Sequence, residues 1–359
     1  MTHPTHWALG FFTGESGQFV GLVADVAASD GSASRVRDLR PDATLLGQHP
    51  LDSAEGTRYL LENWDFVLPV LSELAAESAP GTWLDASTLH VHPPLAPRQV
   101  LQAGANYRKH VVDLAVSHAD LANGRTEAEV REQTAAMMDK RKATGVPYFF
   151  IGLPSAITGP NDEVVLPDYS AKHDWELELA AVIGTPAFRV SPAQALEHVA
   201  AYTIVNDLTT RDLVFRRDMP EIGSDWFRAK NAPGFLPVGP WLVPSAFVGD
   251  PQKLHLTLTL NGQVMQDESA ADMLFSVAEL ISAASQTTVL QPGDLILTGS
   301  PAGNGAHWGR LLQDGDVMRS TITGLGTQHT RVVAERTAER IAEQAAEPAA
   351  ERVGAAADV

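Results

Sequence analysis

Cysteine is absent from the 359 residues, which removes disulfides, a thiolate nucleophile and every zinc site built on cysteine. Basic residues are scarce: 26 Lys and Arg against 44 Asp and Glu leave a formal net charge of -18. That excess repels a phosphate backbone, so nucleic acid is not an expected partner. No segment reaches the roughly 18 apolar residues of a membrane span. The start, Met1 to His6, lacks the basic stretch and apolar core of an export signal. A cytoplasmic enzyme with no membrane contact is the expectation, and no internal repeat suggests a solenoid or an array.

What is present is an ordinary globular composition, 44% hydrophobic and 19% charged, in a chain long enough for one large domain or two smaller ones. Its most informative stretch is Asp174 to Ile183, where Glu176 and Glu178 interrupt an apolar, strand-like run. Alternate side chains of a strand share a face, so both carboxylates point one way and Leu177 and Leu179 the other. An exposed strand face would explain the pair. So would a hard divalent cation, which takes oxygen ligands and cancels the repulsion. A second β-rich run, Ala201 to Asp207, places Asp207 at a strand end. A third carboxylate there would complete a site of the kind magnesium uses, with few protein ligands and room for water and substrate.

From Trp7 to Pro97 the chain reads as short strands and loops with one or two helices over Asp52 to Leu74, forming a small N-terminal domain (1–97). Pro93, Pro94 and Pro97 mark its end. Residues 98–333 follow as a strand-heavy catalytic domain. Strands are expected from Pro147 through Val182, around Val199 to Asn206, and at Leu254 to Leu260, Asp294 to Thr298 and Val317 to Ile322. Helices are expected at Pro192 to Val199 and Met273 to Ala284. The polar, helix-favouring stretch 107–146 is either a lid that closes over substrate or a solvated helix. Residues 334–359 are dominated by Ala and Glu, have few large apolar side chains, and form a tail.

Several further segments agree in order and spacing with one family. They are Asn106-Tyr107-Arg108-Lys109-His110, Asp174 to Gly184, Asn206 to Asp212, Lys230, Val238 to Val243, Leu260-Asn261-Gly262, and Gln291 to Asp294 through Thr298 to Gly303. With these, the chain resembles the fumarylacetoacetate hydrolase family over about residues 99 to 330. The resemblance implies a mixed α/β, mainly β fold, with a catalytic domain of strands rolled into an incomplete barrel or sandwich after a smaller N-terminal domain. It also implies a homodimer and one divalent metal per subunit, Mg2+ with Mn2+ or Ca2+ as variants.

In that pattern Glu176, Glu178 and Asp207 match the metal ligands, Lys230 the lysine near the metal, and His110 the histidine that acts on water or substrate. Asp113 stands where many relatives have a glutamate partner for that histidine. The implied reaction is hydrolysis of a carbon–carbon bond in a β-diketone or acylpyruvate-like acid, as in aromatic or keto acid catabolism. A hydratase, decarboxylase or isomerase of a 2-oxo acid would use the same site. A non-catalytic metal- or ligand-binding protein is a third reading, which the combination of His110, Asp113 and Lys230 argues against.

At i, i+3 on a helix His110 and Asp113 can touch, although an isolated surface pair has the same spacing. Lys230 would bear enolate charge or pair with the carboxylates. Arg211 would take a substrate carboxylate in a bidentate fork or serve as a structural ion pair. Tyr107 is assigned to substrate binding, as are the N–H of Gly299 and the hydroxyl of Ser300 in the loop Thr298 to Pro301, which as easily makes a tight turn. His118, His173, His198 and His307 have no motif behind them. Val214 replaces a glutamine of fumarylacetoacetate-cleaving relatives, and Asn231 to Gly234 replaces their Ser-Phe-Asp. Both changes bear on the substrate, and neither touches the metal ligands.

Overall fold

The computed structural model describes residues 6–24, 35–77, 82–117 and 125–336. Most of the tail expected over 334–359 therefore lies outside the described residues, as does His118. The first two tail residues do not belong to a tail. Ala334 closes the strand Gly326–Ala334, pairs with Leu166, and is followed by Glu335, whose N–H donates to the Leu166 carbonyl at 3.0 Å.

The two apolar runs at the start form an antiparallel hairpin, Trp7–Gly14 with Gly17–Ala24. Arg35–Asp38, Leu84–Asp85 and His90–His92 extend it to five strands. Helices Ala54–Glu62 and Trp64–Ala76 cover one face, their Leu60, Leu61, Val67 and Leu71 packing with Trp7, Leu9, Val20 and Leu22. This core does not stop at residue 97. Ala180, Val182, Ala201, Leu295 and Leu297 belong to the same cluster, and Leu9 and Leu242 exchange main-chain hydrogen bonds at 3.0 and 2.8 Å. The N-terminal sheet thus forms one side of the packing around the central strands of the rest.

Those central strands form a six-stranded sheet in the order Val243–Pro244, Val199–Asn206, Leu177–Ile183, Leu295–Leu297, Val100–Gly104, Tyr148–Gly152. A second sheet of five strands, ordered Gln263–Ser269, His255–Leu260, Val317–Ile322, Gly326–Ala334, Val164–Leu166, packs against it. Leu177 and Leu179 meet Leu256, Leu258, Met318 and Ile322 in its core. The fold is mixed α/β, mainly β, with the sheets rolled around one strand. Leu177–Ile183 is that strand, buried on both faces, which is why its sequence is a nearly continuous apolar run rather than an alternating one.

Two strands outside the sequence expectation, Gln263–Ser269 and Gly326–Ala334, carry polar residues on buried positions, Gln266, Gln328 and Thr330, that mask their period. The first is a hairpin partner of His255–Leu260 through Asn261-Gly262, both at positive φ (52° and 82°), the conformation that Asn-Gly adopts in tight hairpins. The stretch 107–146 contains helices Arg108–Ser117 and Glu127–Thr144, the second opened by a Thr126/Glu129 capping box. No helix among the described residues is long and apolar enough to cross a membrane.

Candidate metal centre and its cavity

Glu176 immediately precedes the doubly buried strand and Glu178 is its second residue, so the extended backbone sends both carboxylates to one side. Asp207 follows the neighbouring strand Val199–Asn206, where Leu177 pairs with Asn206. Its N–H donates to the Glu176 carbonyl at 2.8 Å. Strand pairing alone therefore brings the three carboxylates together. One oxygen from each lies within 4.8 Å of the others, and all three residues are buried.

Two cations reach this group. Lys230, itself fully buried at the end of the short helix Trp226–Lys230, donates from Nζ to Glu176 Oε2 at 2.6 Å and Asp207 Oδ2 at 2.7 Å. Arg211 donates from Nη2 to Glu176 Oε1 and from Nε to Asp174 Oδ2, each at 2.7 Å. Four carboxylates, Asp174, Glu176, Glu178 and Asp207, thus face two permanent cations, leaving two negative charges uncompensated when all are ionised. Buried charge of that size is costly.

The acidities reflect that strain. Burial raises Asp207 to about 6, with repulsion from Glu176 adding to it. Burial together with Asp207 and Glu176 pushes Glu178 well above the carboxylate range. For Glu176 the same burial is outweighed by Lys230 and Arg211, which hold it below its ordinary value. A divalent cation would neutralise the excess, and each carboxylate oxygen retains a lone pair beyond those its hydrogen bonds use. The donor set is all oxygen, which fits a hard cation.

Two neighbours orient the carboxylates. Gln102 Nε2 donates to Asp207 Oδ1 at 2.6 Å, and the Gly299 N–H to Glu178 Oε2 at 2.7 Å. Gly299 sits at φ +88°, and a Cβ there would stand 3.0 Å from Asn106 Cβ, so the loop can aim this N–H only with glycine.

The carboxylates form the floor of a cavity of about 340 Å³ that His110, Arg211, Lys230 and Ser300 also line. Asn106 places His110. Its Nδ2 donates to the carbonyls of Phe275 (2.9 Å) and Thr298 (2.8 Å), and its Oδ1 accepts from the Phe275 N–H. The helix Arg108–Ser117 is thereby pinned beside the loop that carries Gly299. Burial drives the His110 imidazole down to about 4, with Arg211 and Lys230 also lowering it against the pull of Glu176. It is neutral at physiological pH.

Residues 99–333 match the profile of the fumarylacetoacetate (FAA) hydrolase C-terminal domain. The chain belongs to the fumarylacetoacetate hydrolase family. Within the family it is 44% identical over 189 residues to 2,4-didehydro-3-deoxy-L-rhamnonate hydrolase of Sphingomonas sp. (strain SKA58), an alignment covering 52% of this chain and 65% of that one. It spans slightly less than two thirds of that relative. Fumarylacetoacetate hydrolase from psychrophilic Exiguobacterium antarcticum superposes with a TM-score of 0.67 at 28% identity, over 92% of this chain and 100% of the other. A 2-hydroxyhepta-2,4-diene-1,7-dioate isomerase from Mycobacterium marinum gives 0.63 at 27%, with the same coverage. Relatives in this family are thus named both hydrolase and isomerase.

Against the family pattern, several residues stand elsewhere than the sequence suggested. Asp113, expected to orient His110, gives Oδ1 to Arg131 of the following helix at 2.7 Å, and its Oδ2 lies 4.0 Å from His307 Nδ1. Tyr107, expected to touch substrate, is entirely buried and is not part of the cavity wall. The Gly299 N–H, also expected to meet substrate, is committed to Glu178, whereas Ser300 does line the cavity, its Oγ accepting from Gln266 Nε2 at 2.9 Å. Arg211 is in the cavity wall and in the ion pair at once. His173 is held by Thr210 Oγ1 and the Pro167 carbonyl, and His198 by the Thr185 carbonyl. Gln102 and Asp174 were not foreseen. The only sign of Gln102 is one amide within an apolar strand.

Proposed function

We propose that the protein is a divalent-metal-dependent hydrolase that cleaves a carbon–carbon bond in an acylpyruvate-like acid or β-diketone. The observation that carries this reading is the buried carboxylate triad, part of a four-carboxylate group that two cations leave two charges short of neutrality, sharing one cavity with a neutral histidine. Glu176, Glu178 and Asp207 are the residues that would hold the cation, Mg2+ by the chemistry of the donor set. When bound it would polarise the paired carbonyls of a chelating substrate and take up charge as the bond breaks.

The chain's own residues supply the rest. His110, unprotonated and facing the cavity, accepts a proton from water as the oxygen attacks the distal carbonyl carbon. The tetrahedral adduct collapses by breaking the bond between that carbon and the methylene, releasing a carboxylic acid and leaving the electron pair on the 2-oxo acid fragment as its enolate. The imidazolium then returns its proton to the methylene carbon. It is a strong acid in this site, because burial and two neighbouring cations disfavour its charge. Lys230 keeps Glu176 and Asp207 in register throughout, and the Arg211 guanidinium presents positive charge to a substrate carboxylate from its anchored position.

Asp113 bears on a second reading. With its carboxylate on Arg131 and not on His110, Asp113 does not orient the imidazole as a base for water, and a site that only moves a proton along an enol would be an isomerase. Product analysis separates the two. Metal-loaded protein is incubated with a panel of acylpyruvates, β-diketones and oxaloacetate, and products are identified by mass. Hydrolysis gives two fragments with the mass of one water added, isomerisation leaves the mass unchanged, and decarboxylation loses carbon dioxide. Full turnover after exhaustive chelation would defeat the proposal.

A further inference from the structure

The cavity is polar at its floor and apolar above it, and the pairing of two strands explains why. Val100–Gly104 and Tyr148–Gly152 run antiparallel with Gln102 opposite Phe150 and Gly104 opposite Tyr148, so these positions share one face of the sheet. Gln102 serves Asp207. One step further out the same face presents Phe150 and then Tyr148. Gly104 makes room for it, since a Cβ there would stand 2.8 Å from the Tyr148 ring. Trp226 stacks on Phe150 with ring centroids 4.8 Å apart and planes within 17°. On the opposite wall the helix Arg108–Ser117 contributes Val111, Leu114 and Ala115.

Among the described lining residues, charge stops where this wall begins. Lys230 Nζ, 5.7 Å from the centre of the Phe150 ring, marks the junction, and its hydrogen bonds all go to Glu176 and Asp207. The nearby carbonyls of Gly104 and Ala105 are occupied by Arg141, at 3.3 and 2.7 Å. The outer compartment therefore offers aromatic and aliphatic surface with the Tyr148 hydroxyl at its rim. A hydroxylated or carboxylate-bearing substituent entering it would surrender its water without finding a charged partner among the described residues of that wall.

We infer that this compartment selects 2-oxo acid substrates whose distal acyl substituent is apolar, aryl or alkyl, against substituents that are polyhydroxylated or end in a carboxylate. This rests on the floor being the seat of a chelated 2-oxo acid and extends that reading to the other end of the substrate. The name of the Sphingomonas relative specifies a sugar acid. The wall of this protein is unsuited to one.

Binding, which needs no turnover, provides the test. Affinities of Mg2+-loaded protein for oxalate, phenylpyruvate and a 3-deoxy-2-oxo sugar acid are measured by calorimetry in wild type, Phe150→Ala, Trp226→Ala and, from the facing wall, Leu114→Gln. Phenylpyruvate is expected to bind the wild type at least about tenfold more tightly than the sugar acid, as burial of an apolar group against a fitted wall provides. The ratio of phenylpyruvate to oxalate affinity is expected to fall by about tenfold in each variant. Reading the ratio within one protein keeps a general loss of folding or of the floor from imitating the effect. Equal or tighter binding of the sugar acid overturns the inference while leaving the metal-dependent head intact. Failure of oxalate itself to bind places the fault in the head, and the tail assignment falls with it.

Discussion

Lys230 holds Asp207 at two points, donating from Nζ to the carboxylate Oδ2 at 2.7 Å and to the main-chain carbonyl of the same residue at 2.8 Å. The ammonium thus fixes a side chain and the strand end that carries it, and its third hydrogen bond draws Glu176 to the same point.

Lys230→Met would leave Glu176 and Asp207 facing each other in a buried site. Removing one partner of such a group costs about 3–5 kcal/mol, so the chelator-treated variant should melt well below chelator-treated wild type. Saturating Mg2+ should recover most of the difference, because a cation supplies the missing charge. Calorimetric melting with and without EDTA measures both quantities. Coincident melting curves for wild type and variant under chelation would show that Lys230 does not neutralise the group.

Affinity for Mg2+ should rise with pH. Asp207, raised to about 6, and Glu178, raised well above its ordinary range, must shed protons for a cation to bind. Between pH 5 and 7 the affinity should therefore climb, by about tenfold per unit for each proton displaced. The stability of the metal-free protein should move the other way. Folded Asp207 holds its proton more tightly than the unfolded chain does, so its contribution is full below the unfolded value of 3.8 and is lost as pH rises to about 6. Titration calorimetry at several pH values reads the first effect, and a flat affinity would contradict it.

Gln102→Leu keeps the size of the side chain and deletes the hydrogen bond to Asp207. Partners that orient metal ligands in this way are typically worth about 10–100-fold in affinity, and a loss of that order is expected with the fold retained. Unchanged affinity would mean that Lys230 alone sets the Asp207 carboxylate.

His110→Ala should lower turnover by about 10²–10⁴-fold while Mg2+ binding persists. Asp113→Ala should cost far less, since its carboxylate engages Arg131 and not the imidazole. A drop at Asp113 equal to that at His110 would show that the two act as a pair during turnover.

The two helices over 108–144 are tied to the body at particular points: Asn106 beneath the first, and Arg141 and Lys142 in the second, bonded to the Ala105 carbonyl and to Glu279. Hydrogen exchange in the first helix should slow when oxalate and Mg2+ fill the cavity, because Val111 and Leu114 line it. Exchange near Arg141 should change little. Identical protection of the first helix in both states would remove any lid function from it.

Glu176 and Glu178 were legible because two charges in an apolar run are improbable without a reason, and Asp207 because a strand visibly ends there. Asp113 was misplaced because helical spacing says which residues share a face and not which face meets the cavity. Arg131, 18 positions away on a second helix, decides that. Gln102, Phe150 and Trp226 carry no mutual spacing, and only strand register and a short helix bring them together. Asn261-Gly262 forms a hairpin whose second strand shows no clear period, because Gln266 is buried and Val264 exposed.

The six-stranded sheet separates what must stay from what can change. The three clustered carboxylates stand on and beside strands in its middle, packed between two cores, whereas Phe150 and Tyr148 belong to the outermost strand, Tyr148–Gly152. Phe150 and Tyr148 belong to neither core. On the reading proposed above, a gene encoding this scaffold can vary the substrate tail through codons of the sheet margin while the carboxylate floor is inherited unaltered.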